Sequence, residues 1–326
     1  MRIAVTILLV ALAGVSAFGQ GPTLRVVTDD PNLPSDLFYG NVKVKPLRVR
    51  PGTNPPQFIT IDDADFFVEY QYIDFLSRMP DQSGFDFWTG NINNCTPKPS
   101  CTDAQRINTS AAYFLSIEFQ QTGYLVERLY KAAYGDGSGI STLGSAHNIS
   151  VPVVRFSEFL PDTKTIGQGV IVGQTGWETV LENNKVAFTN AFVQRSRFAT
   201  AFPTTLTPAA FVDALNTNAG NVLSSSNRSA IIALFGSATD TSNTTARAQA
   251  VRQVAENQNL STNEFNRAFV LMQFMGYLRR DPNSGQDTDY TGYEFWLNKL
   301  NQFNGNYNAA EMVKAFIVST EYRGRF

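Results

Sequence analysis

Residues 67–76 read Phe67-Val68-Glu69-Tyr70-Gln71-Tyr72-Ile73-Asp74-Phe75-Leu76, and residues 269–278 read Phe269-Val270-Leu271-Met272-Gln273-Phe274-Met275-Gly276-Tyr277-Leu278. Phe67, Val68, Gln71, Tyr72, Phe75 and Leu76 share offsets with Phe269, Val270, Gln273, Phe274, Tyr277 and Leu278, and that spacing lays one broad apolar stripe along an α-helix. Both stretches then reach Arg-x-Pro, at Arg78-Met79-Pro80 and Arg280-Asp281-Pro282. The proline disfavours helical backbone in the residue before it, so each helix should stop there. A polar turn follows, then Gly84-Phe85-Asp86-Phe87-Trp88 or Gly292-Tyr293-Glu294-Phe295-Trp296, which should open a second helix.

Working outward, the pattern occurs four times. Copy one runs from Phe67 to Phe119, copy three from Phe211 to Phe265 and copy four from Phe269 to Tyr322, nearly equal spans. Copy two, from Leu125 to Phe198, is longer by a Gly-rich stretch, 135–176, expected as an irregular surface loop. Closing segments such as Ala112–Phe119, Ala191–Phe198 and Ala315–Tyr322 are expected as third helices. Self-similarity at this period marks small units that bury apolar faces on one another. The expected fold is all-α, with tandem three-helix units in two helical subdomains, 63–200 and 205–326. Trp88, Trp177 and Trp296 are expected at one position of the repeat, each buried in the core of its unit.

The N-terminal part reads differently. Arg2, the apolar run Ile3–Val15 and the small-x-small triplet Ala17-Phe18-Gly19 have the layout of a secretory signal peptide over 1–19. The run is short for a membrane-spanning helix, which needs roughly 20 residues. Residues 20–62 carry Pro22, Pro31, Pro34, Pro46, Pro51, Pro55 and Pro56, a density that precludes a continuous helix and predicts an extended linker with one or two strands. The expected location is secreted, extracellular or at the cell surface, with no transmembrane segment after cleavage. A net charge of −2 argues against nucleic acid as a partner, because no excess of Lys and Arg is present to displace phosphate counterions. The only two cysteines, Cys95 and Cys101, flank a Pro-containing polar loop, and in an exported chain such a close pair reads as a disulfide.

Phe67–Arg78, Pro80-Asp81, Gly84, Phe87-Trp88 and the closing Phe114-Leu115-Ser116-Ile117-Glu118-Phe119 resemble a bacterial family called domain of unknown function 4214, over roughly residues 63–326. The whole chain resembles secreted acidobacterial proteins that carry this domain. The resemblance implies an all-helical module of exported and surface proteins, similar in outline to phycobilisome linker domains, and brings no catalytic residues. Copy three departs from it, with Asn216 and Gly220 where large apolar residues are expected.

Searches for catalytic patterns return little. His147 is the single histidine and lies in the copy-two insertion, with no Gly-x-Ser-x-Gly elbow to accompany it. Gly167–Gly173 lacks the strand and helix that a dinucleotide loop requires. In copy four Gly292 follows Pro282 by ten positions, whereas in copy one Gly84 follows Pro80 by four. In that longer loop Asp281, Asn283, Asp287 and Asp289 space oxygen-bearing side chains as a calcium loop does, with Glu294 downstream. Gly285 falls where an EF-hand has a ligand, and the alternative reading is a solvated turn whose Asp and Asn cap the next helix. No other cofactor is expected. The expected function is a non-catalytic structural, adhesive or interaction module with a surface protein or polysaccharide as partner. The alternative is a carbohydrate-binding module or glycoside-active enzyme of an exopolysaccharide system.

Overall fold

The computed structural model describes residues 59–326 and, ahead of them, the backbone of four strands, β1 (Leu24–Val27), β2 (Ser35–Tyr39), β3 (Val42–Arg50) and β4 (Gln57–Ile59). The expected signal peptide lies outside the described residues. The four strands form an antiparallel meander in chain order, with Leu24 opposite Tyr39, Ser35 opposite Leu47 and Arg48 opposite Ile59. The proline-rich segment therefore holds a sheet where a linker with one or two strands was expected. β3 pairs with β2 over Val42–Leu47 and with β4 only over Arg48–Arg50, so one of its edges is open at Pro46, where strands tolerate proline.

Residues Ile61–Arg325 are a separate, compact helical unit. Copy one comprises α1 (Ala64–Gln71), a π-helical turn (Tyr72–Leu76), α2 (Gln82–Asn93), α3 (Pro99–Phe114) and α4 (Ile117–Gln120). Copy two comprises α5 (Gly123–Tyr134), the hairpin β5 (Asp136–Ser141) and β6 (His147–Pro152), α6 (Phe156–Gly167), α7 (Trp177–Phe192) and α8 (Ser196–Ala201). Copy three contributes α9 (Pro208–Asn218), α10 (Ser225–Ala233) and α11 (Thr244–Ala255). The long α12 (Gln258–Met272) closes copy three and opens copy four, which continues through a π-helical turn (Gln273–Leu278), α13 (Thr291–Gln302), α14 (Met312–Ile317) and α15 (Thr320–Arg323).

The chain is all-α in its body, as expected, but the units differ from the expectation in three respects. The closing segments are not single helices. Ser116 and Ser319 adopt extended backbone, and their hydroxyls accept hydrogen bonds from Phe119 N and Tyr322 N at 3.1 Å, which ends one helix and caps a new short one. The stretch 135–176 is not an irregular loop, because it folds as the β5–β6 hairpin and α6. Nor does the helical body part into two subdomains near residue 200. Copy one packs on copy four through the two π-helical turns and through α3 against α14, while copy two packs on copy three through α5 against α9 and α7 against α11.

The seam between copies one and four shows why the pairing holds. Each π-helical turn ends on a left-handed residue, Ser77 at φ 53° and Arg279 at φ 57°, and turns its last aromatic toward the other copy. Phe75 and Tyr277 meet edge to face with centroids 5.1 Å apart, and Phe114 packs on Phe269 at 5.2 Å. A Cβ on Gly276 would lie 2.2 Å from Phe75 Cε1, so this approach requires glycine. Between copies two and three, Asn218 at the end of α9 donates to the Ala133 carbonyl of α5 at 2.9 Å, and Phe211 packs on Phe202 at 5.2 Å.

Candidate functional site

Two grooves of the same construction open on copies one and four, away from the seam. In copy one a cavity of about 420 Å³ is lined by Tyr72, Leu76, Arg78, Asp81, Gly84, Phe87, Trp88, Tyr113, Ser116, Ile117 and Glu118, with Val172 reaching in from copy two. In copy four a cavity of about 270 Å³ is lined by Phe274, Leu278, Arg280, Asp287, Gly292, Trp296, Phe316, Ser319 and Glu321. Every one of these copy-four residues has its counterpart in copy one. The opening helix supplies one aromatic wall, the second helix the tryptophan and glycine, and the closing segment the carboxylate.

An arginine fixed by two carboxylates forms the polar side of each groove. Arg78 donates from Nε and Nη2 to Glu118 at 2.8 and 2.9 Å, and its Nη1 lies 3.5 Å from Asp81 Oδ2. Arg280 donates from Nε and Nη2 to Glu321 at 2.5 and 2.9 Å and from Nη2 to Asp287 at 2.6 Å. Two-pronged pairing of this kind locks the guanidinium plane, so its remaining donors and the carboxylate lone pairs point in fixed directions. The guanidinium groups also lie over an aromatic face, Arg78 over Tyr72 at 4.9 Å and Arg280 over Phe274 at 5.5 Å. Burial pushes the Asp81 carboxyl up, but hydrogen bonds from Gly84 N–H and Ser83 and the nearby Arg78 charge outweigh it and hold it below the ordinary value.

The tryptophans are placed differently from the expectation. Trp88 and Trp296 are half-buried, not core. Each stands on the groove wall, 6.0 Å from Tyr113 and 5.6 Å from Phe316, beside an exposed phenylalanine, Phe87 at 59% and Phe295 at 45% exposure. The reason is that α2 and α13 lie at the periphery and bury only Ile92, or Tyr293 and Leu300, so the tryptophan face is left to the groove. Trp177 is not their counterpart at all. It starts α7, the third helix of copy two, whereas the second-helix place is taken by α6.

The corresponding places in copies two and three are built differently. In copy two the closing segment carries arginines: Arg195 binds Asp162 at 2.7 Å through two nitrogens, and Arg197 lies over the Tyr134 ring at 4.0 Å while pairing with Glu158. These arginines stand in the closing segment, the place that supplies the carboxylate in copies one and four. In copy three Asn216 replaces the wall aromatic and accepts from Leu223 N at 2.9 Å, while Glu264, the closing carboxylate, faces Lys131 and Arg267.

The long loop of copy four does not gather its oxygens. Asp281 accepts from Phe156 N at 2.8 Å, Asn283 from Arg155 at 2.9 Å, Asp287 from Arg280, and Asp289 from Thr291 N at 2.8 Å and Thr142 at 3.2 Å. Three of the four therefore hold the start of α6, the start of α13 or the β5–β6 hairpin, and Glu294 meets His147 at 3.0 Å. The extra length of copy four thus serves as the socket of the copy-two insertion. Among the described residues no three His, Cys, Asp or Glu side chains are grouped to hold a metal ion. Cys95 and Cys101 form the disulfide, with Cα atoms 5.3 Å apart, and join the end of α2 to the start of α3.

The arginine–glutamate pairs were missed in the sequence, although a signal was present. Arg78 and Arg280 follow the same stripe, and Glu118 and Glu321 stand just before the closing aromatic, while copies two and three break the combination. No protein-family model, curated protein or solved structure matches the chain. No helix among the described residues is long and apolar enough to cross a membrane.

Proposed function

We propose that the chain is an exported, non-catalytic interaction module that holds sugar rings of a surface or extracellular polysaccharide in the copy-one and copy-four grooves. One observation carries this reading: the same tryptophan, aromatic wall and carboxylate-locked arginine are assembled twice, at the surface, from segments about 40 residues apart. Half-exposed aromatic faces suit the C–H face of a pyranose, and fixed donors and acceptors suit its hydroxyls, a combination of apolar wall and few oriented polar groups that defines small-ligand sites. A glycosidase reading is weaker, since that chemistry needs one free, protonated carboxyl beside a second carboxylate, and here Glu118 and Glu321 each engage an arginine through both oxygens.

The test is a glycan array probed with the full chain, followed by titration of any hit. Trp88→Ala with Trp296→Ala should abolish binding while leaving the far-ultraviolet circular dichroism unchanged. Absence of binding to any glycan, or binding indifferent to the double substitution, would refute the proposal.

A further inference from the structure

The two grooves differ at two positions, and the difference is chemical. Where copy one has Tyr72 and Tyr113, copy four has Phe274 and Phe316. Tyr72 Oη stands against Gly84 on the groove wall, so close that a Cβ there would lie 2.1 Å from it. The Tyr113 ring meets Tyr72 edge to face at 4.8 Å, and its buried hydroxyl has no hydrogen bond of ordinary geometry to any protein group. A buried hydroxyl without a partner is unfavourable until it gains one. A ligand hydroxyl placed between the two phenols, accepting from one and donating to the other, would give Tyr113 its missing partner. In copy four the same place is hydrocarbon, and a ligand hydroxyl put there would itself be left unpaired.

We infer that the copy-one groove selects a sugar presenting a hydroxyl to the Tyr72–Tyr113 pair, whereas the copy-four groove takes a deoxy sugar presenting a hydrogen or methyl group to Phe274 and Phe316. This rests on the sugar-binding reading of the grooves. The discrimination is unequal: a site built to bond a hydroxyl rejects the analogue lacking it strongly, whereas an apolar wall rejects an added hydroxyl less. One chain would then bridge two different sugar residues of a heteropolysaccharide.

The experiment labels the full chain with 5-fluorotryptophan, assigns the three resonances with single Trp→Phe variants, and titrates methyl glycosides of glucose, galactose and mannose against their 6-deoxy and other monodeoxy counterparts. Hydroxylated sugars should move the Trp88 resonance and a deoxy counterpart should move that of Trp296. Tyr72→Phe with Tyr113→Phe should weaken the hydroxylated sugar at Trp88 about tenfold or more and admit the deoxy sugar. The reverse exchange, Phe274→Tyr with Phe316→Tyr, should give the copy-four groove the copy-one preference, the hydroxyl at 274 entering beside Gly292 as that of Tyr72 does beside Gly84. Equal responses of Trp88 and Trp296 to both sugar classes, unchanged by either exchange, would overturn this inference and leave the binding function standing. No response of either resonance to any sugar, with no glycan bound on the array, would overturn both.

Discussion

Gly276→Ala is the substitution that most directly tests how the copies are joined. The new methyl would stand 2.2 Å from Phe75 Cε1 and 2.7 Å from Cζ. Phe75 cannot swing aside, because Phe114, Phe119 and Tyr277 enclose its ring at centroid distances of 4.9, 5.6 and 5.1 Å. Overpacking of this kind costs about 1–3 kcal/mol, and so deep a clash belongs at the upper end. Replacing glycine by alanine inside a helical stretch returns about 1 kcal/mol of propensity. The net loss should be about 2 kcal/mol, a fall in Tm of about 4–8 °C for a unit of this size. Thermal and urea unfolding of the full chain would measure it. Phe75→Leu should relieve the clash, so the double variant should be more stable than the two single losses predict by at least about 1 kcal/mol. A Gly276→Ala protein that melts like the parent, or strict additivity with Phe75→Leu, would show that Phe75 does not press on copy four and that the pairing of copies one and four is wrong.

Trp88→Ala should cost about 1–2 kcal/mol in urea unfolding, less than the roughly 3–5 kcal/mol of a core tryptophan, because the ring is half-buried; a loss in the core range would place it inside after all. Millimolar calcium and chelator should give the same Tm, since Asp281, Asn283, Asp287 and Asp289 already accept from protein donors. A calcium-dependent rise that disappears in Asp287→Ala with Asp289→Ala would restore the metal site. Burial, reinforced by Glu264, pushes the Glu127 carboxyl well above its ordinary value, against the opposing pull of Arg128, Arg267 and Lys131. With the folded pKa raised, this group's favourable contribution is complete below the unfolded value of about 4.3 and is lost as pH rises beyond it. Glu127→Gln should therefore raise Tm more at pH 8 than at pH 5, and an equal change at both would refute the argument.

Helix existence was legible because the stripe Phe67, Val68, Tyr72, Phe75, Leu76 and its copy at Phe269–Leu278 can be buried on one side only if the backbone is helical. Where those helices break was not legible. Ser116 and Ser319 interrupt the closing segments because a serine hydroxyl can replace a backbone acceptor, a local competition that periodicity does not register. The role of the tryptophans was misjudged for a related reason. Trp88 and Trp296 lie at apolar positions of their helices, yet α2 and α13 sit at the rim of the fold, and only neighbouring elements decide how much of such a ring is covered.

The sequence by itself determined the helical class and the Cys95–Cys101 link, since each depends on residues close together along the chain. Tertiary structure decided the partners. Any of the four apolar stripes could cover any other, and the choice fell to particular contacts such as Phe75 on Gly276 and Asn218 on α5. It likewise set the acidic loop of copy four to work as a socket for Phe156, Arg155 and Thr142, donors that arrive from more than 120 residues away. The grooves belong to the same category, because Arg78 meets Glu118, and Arg280 meets Glu321, only after the two helices between them have folded back. Burial, and with it the strength and direction of every polar contact, is a property of the assembled surface and not of the spacing along the chain.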